Sequence, residues 1–159
     1  IKGDRMFLFH LTKEDRQKIH QILKQYQKDS RVQSMHGFVQ HGRTSTYEHC
    51  MNVVKLSFWI NKHLHLSANE RALLAGALLH DFYLYDWHEK STWHRWHGFS
   101  HPSRAWENAR RHFPMGAKEE NIIRSHMWPL IPWQIPKSRE AVIVCLADKC
   151  CSLYETTAR

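Results

Sequence analysis

The sequence predicts an all-α fold in a single domain, and three observations carry that prediction. Cap-like signals recur along the chain, from Thr12 to Asp15, from Ser45 to Glu48 and from Ser67 to Glu70; side chains that satisfy the free N–H groups of a first turn are local helix starters. Behind these signals, apolar residues return at three- and four-residue spacing. Pro114 and Pro129 stand where two such runs stop, because proline lacks the N–H and crowds the preceding turn.

In chain order, residues 1–11 are an irregular or weakly extended lead-in. A first helix begins at Thr12 and carries Ile19, Ile22, Leu23 and Tyr26 on one face, with His20 off that stripe. Residues 35–43 hold two glycines and no period, so they read as a loop. The Ser45–Glu48 box opens the next helix, in which His49 shares a face with Val53, Leu56 and Ile60. The Ser67–Glu70 signal opens an apolar run, Ala72 to Leu79, that closes on His80-Asp81. Residues 86–98, dense in Trp and His, have no single period and read as a functional loop or lid. His101-Pro102 then starts a helix, with proline at its first position. A short helix from about Lys118 presents Ile122, Ile123 and His126 on one face. Three prolines and two tryptophans between Trp128 and Pro136 predict a loop, its tryptophans packed into core or lid. Ser138 starts a last helix that gathers Val144, Cys145, Asp148 and Cys151.

At 159 residues and 19.1 kDa the chain can bury a real core in one domain, divided into an N-terminal helix and loop over 1–42 and a helical core over 43–155. Its 42% hydrophobic and 24% charged residues exclude a disordered or membrane class. No apolar run approaches the roughly 20 residues of a membrane span, and the first residues lack signal-peptide order, so the expected location is cytoplasmic. Cys50, Cys145, Cys150 and Cys151 form no Cys-x-x-Cys ligand pair and read as reduced thiols. The net charge of +8 is scattered rather than gathered in a stripe; it suits a small phosphorylated partner as well as nucleic acid, and no nucleic-acid reader motif accompanies it.

The unusual number is 14 histidines. His49, His80, Asp81, His101, His126 and Asp148 all fall at helix ends or on apolar faces of successive helices, where a buried imidazole or carboxylate needs a partner. Convergence of several on one centre would give a nitrogen and oxygen ligand set without thiolates, which favours iron, manganese, cobalt or nickel over structural zinc.

The ordered pattern of His, His-Asp, His, His and Asp, over about Arg43 to Glu155, resembles the HD-domain superfamily of metal-dependent phosphohydrolases. The pieces that carry it are Tyr47-Glu48-His49-Cys50, Leu78-Leu79-His80-Asp81, His101-Pro102 with Ala105, and Ala147-Asp148. The resemblance implies a helical bundle with a core of about five helices. It implies one metal on His49, His80, Asp81 and Asp148, a second on His101 and His126, and Asp81 as the bridge. The cofactor is then a divalent transition metal, two ions, with Fe or Mn favoured and Co, Ni, Zn or Mg as alternatives. The implied reaction is phosphomonoester or phosphodiester hydrolysis of a nucleotide or other small phosphorylated metabolite by metal-activated water. Arg43 is the first candidate to orient the phosphate and Lys149 the second. The nearest acids after the His-Asp pair are Asp86 and Glu89, which leaves the general acid or base unassigned; His97 competes with His101 as the third histidine. Two alternatives keep the ligand set: oxygen-dependent cleavage at a di-iron centre, and a nucleotide-sensing module without turnover. Nothing in the sequence sets the oligomeric state.

Overall fold

The computed structural model describes residues 9–85 and 97–157. Among them are seven α-helices and one two-stranded hairpin. Helix α1 (Lys13–Gln27) starts at a reciprocal cap: the Thr12 N–H donates to Asp15 Oδ2 at 3.1 Å and the Asp15 N–H to Thr12 Oγ1 at 3.2 Å. Its buried face is Ile19, Leu23 and Tyr26. Asp15 also accepts from the Lys62 ammonium at 2.7 Å, tying α1 to the end of a later helix.

After the short α2 (Ser30–Ser34) and a single 3₁₀ turn at Met35–Gly37, the stretch expected to be a loop forms a hairpin, β1 (Val39–His41) with β2 (Thr44–Ser45). Gly42, with φ +58°, supplies the left-handed residue that a tight hairpin turn needs. A Cβ there would also lie 3.3 Å from the Glu155 carbonyl oxygen. Strands of three and two residues are too short to give an alternating signal in the sequence.

Helix α3 (Thr46–His63) follows directly, capped by the reciprocal Ser45–Glu48 pair, and buries His49, Cys50, Val53, Val54, Leu56 and Phe58. Helix α4 (Glu70–Leu79) starts at Asn69 rather than at Ser67: Asn69 Oδ1 accepts from the Ala72 N–H at 3.0 Å, while Ser67 sits at φ +52°. Asn caps as well as Ser, and here only Asn69 has the extended backbone of a cap. Ala72 to Leu79 are buried without exception, so α4 is the central helix, packed mainly against α3 and α6 (Ala117–Ser125).

Helix α5 (His97–His112) holds Pro102 inside it, not at its first position. Pro102 is the sixth residue of the helix, so the bond its missing N–H would make to the Gly98 carbonyl is absent. Residues 97 and 98 are therefore helical, while the rest of the expected lid, 86–96, lies outside the described residues. Residues 126–138 contain neither helix nor strand. There Ile131 fills the inward place at 1% exposure, and Trp128 and Trp133, expected in core or lid packing, stand exposed at 41% and 72%. Helix α7 (Arg139–Thr157) begins with Ser138 Oγ accepting from the Ala141 N–H at 3.1 Å. Buried Glu140 joins three elements by accepting from the Asn69 N–H at 2.7 Å and the Lys118 ammonium at 2.9 Å. The four cysteines are free thiols. No described helix is long and apolar enough to cross a membrane.

Gly76 is where α4 and α6 meet most closely; a Cβ would lie 2.6 Å from Ile122 Cδ1 and 3.0 Å from Ile122 Cβ. Gly76→Ala is expected to lose about 1–3 kcal/mol of stability by overpacking, despite its roughly 1 kcal/mol gain in helix propensity. Gly37→Ala, where a Cβ meets nothing within 4 Å, is expected to be close to neutral. Denaturant unfolding of the two variants checks both.

Candidate metal centre

Four histidines and two aspartates from five elements meet beneath the hairpin. His49 comes from the first turn of α3, His80 and Asp81 from the end of α4, His101 from α5, His126 from the end of α6, and Asp148 from α7. Their exposures are 0%, 0%, 2%, 4%, 1% and 7%. Six ionisable groups removed from water together would be costly without mutual or external partners.

Ring orientation follows from what holds the outer nitrogens. His80 Nδ1 lies 2.7 Å from the Ala77 carbonyl oxygen and His126 Nδ1 lies 2.7 Å from that of Ile123. These are carbonyls left over at helix C-termini. A carbonyl only accepts, so each Nδ1 carries the hydrogen and each Nε2 turns its lone pair inward. His49 Nδ1 is met by Glu155 Oε2 at 2.8 Å, and Glu155 is itself held by the Asn52 amide at 3.0 Å. A carboxylate behind an imidazole fixes the ring and raises its basicity as a ligand.

The inward atoms form three overlapping groups: His49, His80 and Asp81; Asp81, His101 and His126; and His80, His126 and Asp148. The first two share Asp81. On one side, Asp81 Oδ2 lies 3.3 Å from His80 Nε2 and 3.7 Å from His49 Nε2, while Asp148 Oδ1 lies 3.0 Å from His49 Nε2 and 3.6 Å from His80 Nε2. On the other, Asp81 Oδ1 lies 3.2 Å from His101 Nε2 and 3.4 Å from His126 Nε2, which are 2.8 Å apart. An ion about 2.1 Å from each donor separates neighbouring donors by roughly 3.0 Å in an octahedron and roughly 3.4 Å in a tetrahedron. The atoms on both sides have the spacing of donors around an ion. Two of the inward atoms, His80 Nε2 and Asp81 Oδ1, are buried without a hydrogen-bond partner among the described residues, as ligand atoms would be. The residues present therefore fit a divalent metal.

Without an ion, protons and charge take its place. Burial disfavours a charged His49 ring, but Asp148 and Glu155 outweigh it and carry its pKa from 6.5 to about 10. Burial opposes charge on His80 too, and Asp81 reverses the balance, raising it well above the ordinary value. Burial would raise Asp81 and Asp148; instead the facing imidazoles, His80 first for Asp81 and His49 first for Asp148, hold both well below the carboxylate range. His126 is lowered by burial, only partly offset by Asp81.

The other candidates lie elsewhere. Arg43 is exposed on the hairpin turn. Lys149 lies beside Asp148 in sequence, but its ammonium donates to the His126 carbonyl oxygen at 2.9 Å and approaches that of Cys145 at 3.4 Å. Asp86, Glu89, His88 and His94 and the side chain of His97 are outside the described residues. Sequence reasoning missed Glu155, although Asp148, Ser152 and Glu155 share one helical face and Ser152 Oγ donates to Asp148 Oδ1 at 3.3 Å. It also missed Gln40, whose amide donates to Asp81 Oδ2 at 2.6 Å across 41 positions; no local pattern announces that contact.

A helical bundle whose helix ends bring four imidazoles and two carboxylates together has the architecture of a metalloprotein. The family model for the HD domain matches residues 46–153, and the chain belongs to the HD-domain family. That family lies within a superfamily of metal-dependent phosphohydrolases, and the clustered His and Asp side chains suggest divalent metal binding. No curated protein and no solved structure gives a significant match.

Glu155→Gln, which removes the charge behind His49, is expected to weaken metal binding about 10–100-fold in a chelator competition assay. The metal-free chain should also have a defined pH profile. His49 is raised, so its contribution to stability is complete below 6.5 and disappears as pH climbs through about 10. Asp81 and Asp148 are lowered, so theirs is present above 3.8 and disappears as pH falls. Tm of the chelated chain is expected to decline on both sides of that window, and the alkaline decline to vanish on metal loading. A pH series of melting curves with and without chelator reads this directly.

Proposed function

We propose that this protein is a metal-dependent phosphohydrolase, a phosphomonoesterase or phosphodiesterase acting on a nucleotide or another small phosphorylated metabolite. The observation that carries the reading is the pair of donor groups sharing Asp81, with His80 Nε2 and Asp81 Oδ1 buried and without a hydrogen-bond partner among the described residues. His49, His80, Asp81 and Asp148 would hold one ion, and Asp81, His101 and His126 the other. When bound, the ions supply Lewis acidity that makes water a nucleophile near neutral pH and neutralises charge on a phosphoryl group.

The chain's own residues account for the rest. The carbonyl contacts of His80 and His126 and the Glu155 contact of His49 hold the three Nδ1 atoms outward and so aim the three Nε2 atoms inward, where their protons would give way to an ion. Arg43, exposed on the hairpin turn just ahead of α3, would orient an incoming phosphate by paired N–H donors. Lys149 is the lesser candidate, because its ammonium already holds the carbonyl of ligand residue His126; it adds positive charge beside Asp148.

Purified protein is expected to contain close to two transition-metal ions per chain and to release phosphate from some member of a panel of phosphomonoesters and phosphodiesters. Arg43→Ala should raise KM more than it lowers kcat, and Asp81→Asn should abolish turnover and lower metal content. Elemental analysis with a phosphate-release assay makes the measurement. A chain that stays metal-free on reconstitution sinks the proposal, and oxygen consumption with a mixed-valence iron signal and no phosphate would assign oxygen-dependent cleavage instead.

A further inference from the structure

Two hairpin side chains stand at the centre: His41, whose ring lies 5.4 Å from that of His49, and Gln40, which is 6% exposed and makes a hydrogen bond to Asp81. The Gln40 amide N–H donates to Asp81 Oδ2 at 2.6 Å. Its carbonyl accepts from the hydroxyl of Tyr83, which is 3% exposed, and lies 3.4 Å from Thr46 Oγ1. Thr46 Oγ1 also reaches the Phe38 carbonyl oxygen at 3.2 Å and the Tyr83 hydroxyl at 3.5 Å. An ionised carboxylate only accepts, and a phenol has a single hydrogen to give. The direction of the chain is therefore fixed, from Tyr83 O–H to the Gln40 carbonyl and from Gln40 N–H to Asp81. The Tyr83 hydroxyl decides which end of the amide faces the carboxylate, and the single Thr46 hydrogen is shared between the Phe38 and Gln40 oxygens.

The consequence lies in how Asp81 is used. A carboxylate rotates about its Cβ–Cγ bond in a broad, roughly two-fold well, so nothing in Asp81 alone decides which oxygen faces which imidazoles. Gln40 removes that freedom. It takes one lone pair of Oδ2 and leaves the other directed at His80, 3.3 Å away, while Oδ1 stays open toward His101 and His126 at 3.2 and 3.4 Å. We propose that Gln40, locked by Tyr83 and Thr46, is a positioning residue that holds the Asp81 carboxylate across both donor groups, so that one oxygen serves each ion. This rests on the two-ion reading above and goes beyond it by assigning the bridge to residues that touch neither ion.

Mn²⁺ alone, titrated into the full chain after chelation, provides the test, read by calorimetry and by electron paramagnetic resonance. The wild-type chain is expected to take up two ions and show the exchange-coupled spectrum of a bridged pair. Tyr83→Phe and Gln40→Leu are expected to keep the first ion at wild-type affinity, to bind the second about 10–100-fold more weakly, and to show the hyperfine pattern of isolated ions. Thr46→Ser, which keeps the hydroxyl, should behave as wild type. A purely structural role predicts the opposite: lowered Tm, with both affinities and the coupled spectrum unchanged, and that result overturns the proposal. Should Gln40→Leu fail to fold, Tyr83→Phe, which deletes one oxygen, decides alone. A wild-type chain that binds no Mn²⁺ removes the metal reading and this inference together; one that binds two ions, with both variants unaffected, removes this inference only.

Discussion

Everything at the centre of this molecule depends on one buried anion, the carboxylate of Asp81. It is 2% exposed and lies at the end of the one helix that is apolar on every side. A charge in that place is costly unless cations or strong donors surround it. Gln40 from the hairpin donates to it and His80, from its own chain turn, faces it as a basic imidazole, while His101 and His126 stand at its other oxygen. Helices α5 and α6, which pack on α4, are therefore also elements that bring side chains to that carboxylate, as the hairpin does through Gln40.

The second constraint is close helix approach. Gly76 lets α6 lie against α4 with Ile122 filling the space where a side chain would be, which brings the C-terminal ends of both helices, and with them His80 and His126, to adjacent rings at 4.9 Å. On the far side, Glu140 ties the starts of α4 and α6 to α7, fixing the helix that carries Asp148 and Glu155. The imidazoles are then oriented by atoms outside the donor groups, two carbonyls and one carboxylate. The donor atoms are set by packing first and by hydrogen bonding second.

How much of this was legible in the sequence follows the range of the interactions. Capping is local, so the Thr12 and Ser45 starts could be read directly, and helical periodicity placed His49, His126 and Asp148 on inward faces. The start of α4 at Asn69 was misplaced because serine and asparagine cap equally well and only backbone conformation separates them. The start of α5 differs from the expectation because Pro102 stands at the sixth residue of the helix, where proline is ordinarily disfavoured and sequence patterns give no sign of it. The hairpin and Gln40 are invisible in the sequence for another reason: strands of three and two residues carry no period, and the Gln40–Asp81 contact exists only once residues 41 positions apart have folded together. Glu155 was readable in principle, one face of α7 beyond Asp148, and was overlooked because a glutamate on a helix is ordinarily solvated.

The placement of His80 and His126 at helix C-termini, and of His49 at a helix N-terminus, gives the centre an electrical axis. Helix C-termini carry about half a unit of negative charge and N-termini the same of positive. The ends of α4 and α6 therefore lower the energy of a cation before any donor atom touches it. The start of α3, with Arg43 just ahead of it in the chain, offers the opposite potential. Cation and anion are drawn to different sides of the same small volume, and backbone dipoles, which no protonation change can remove, maintain that separation.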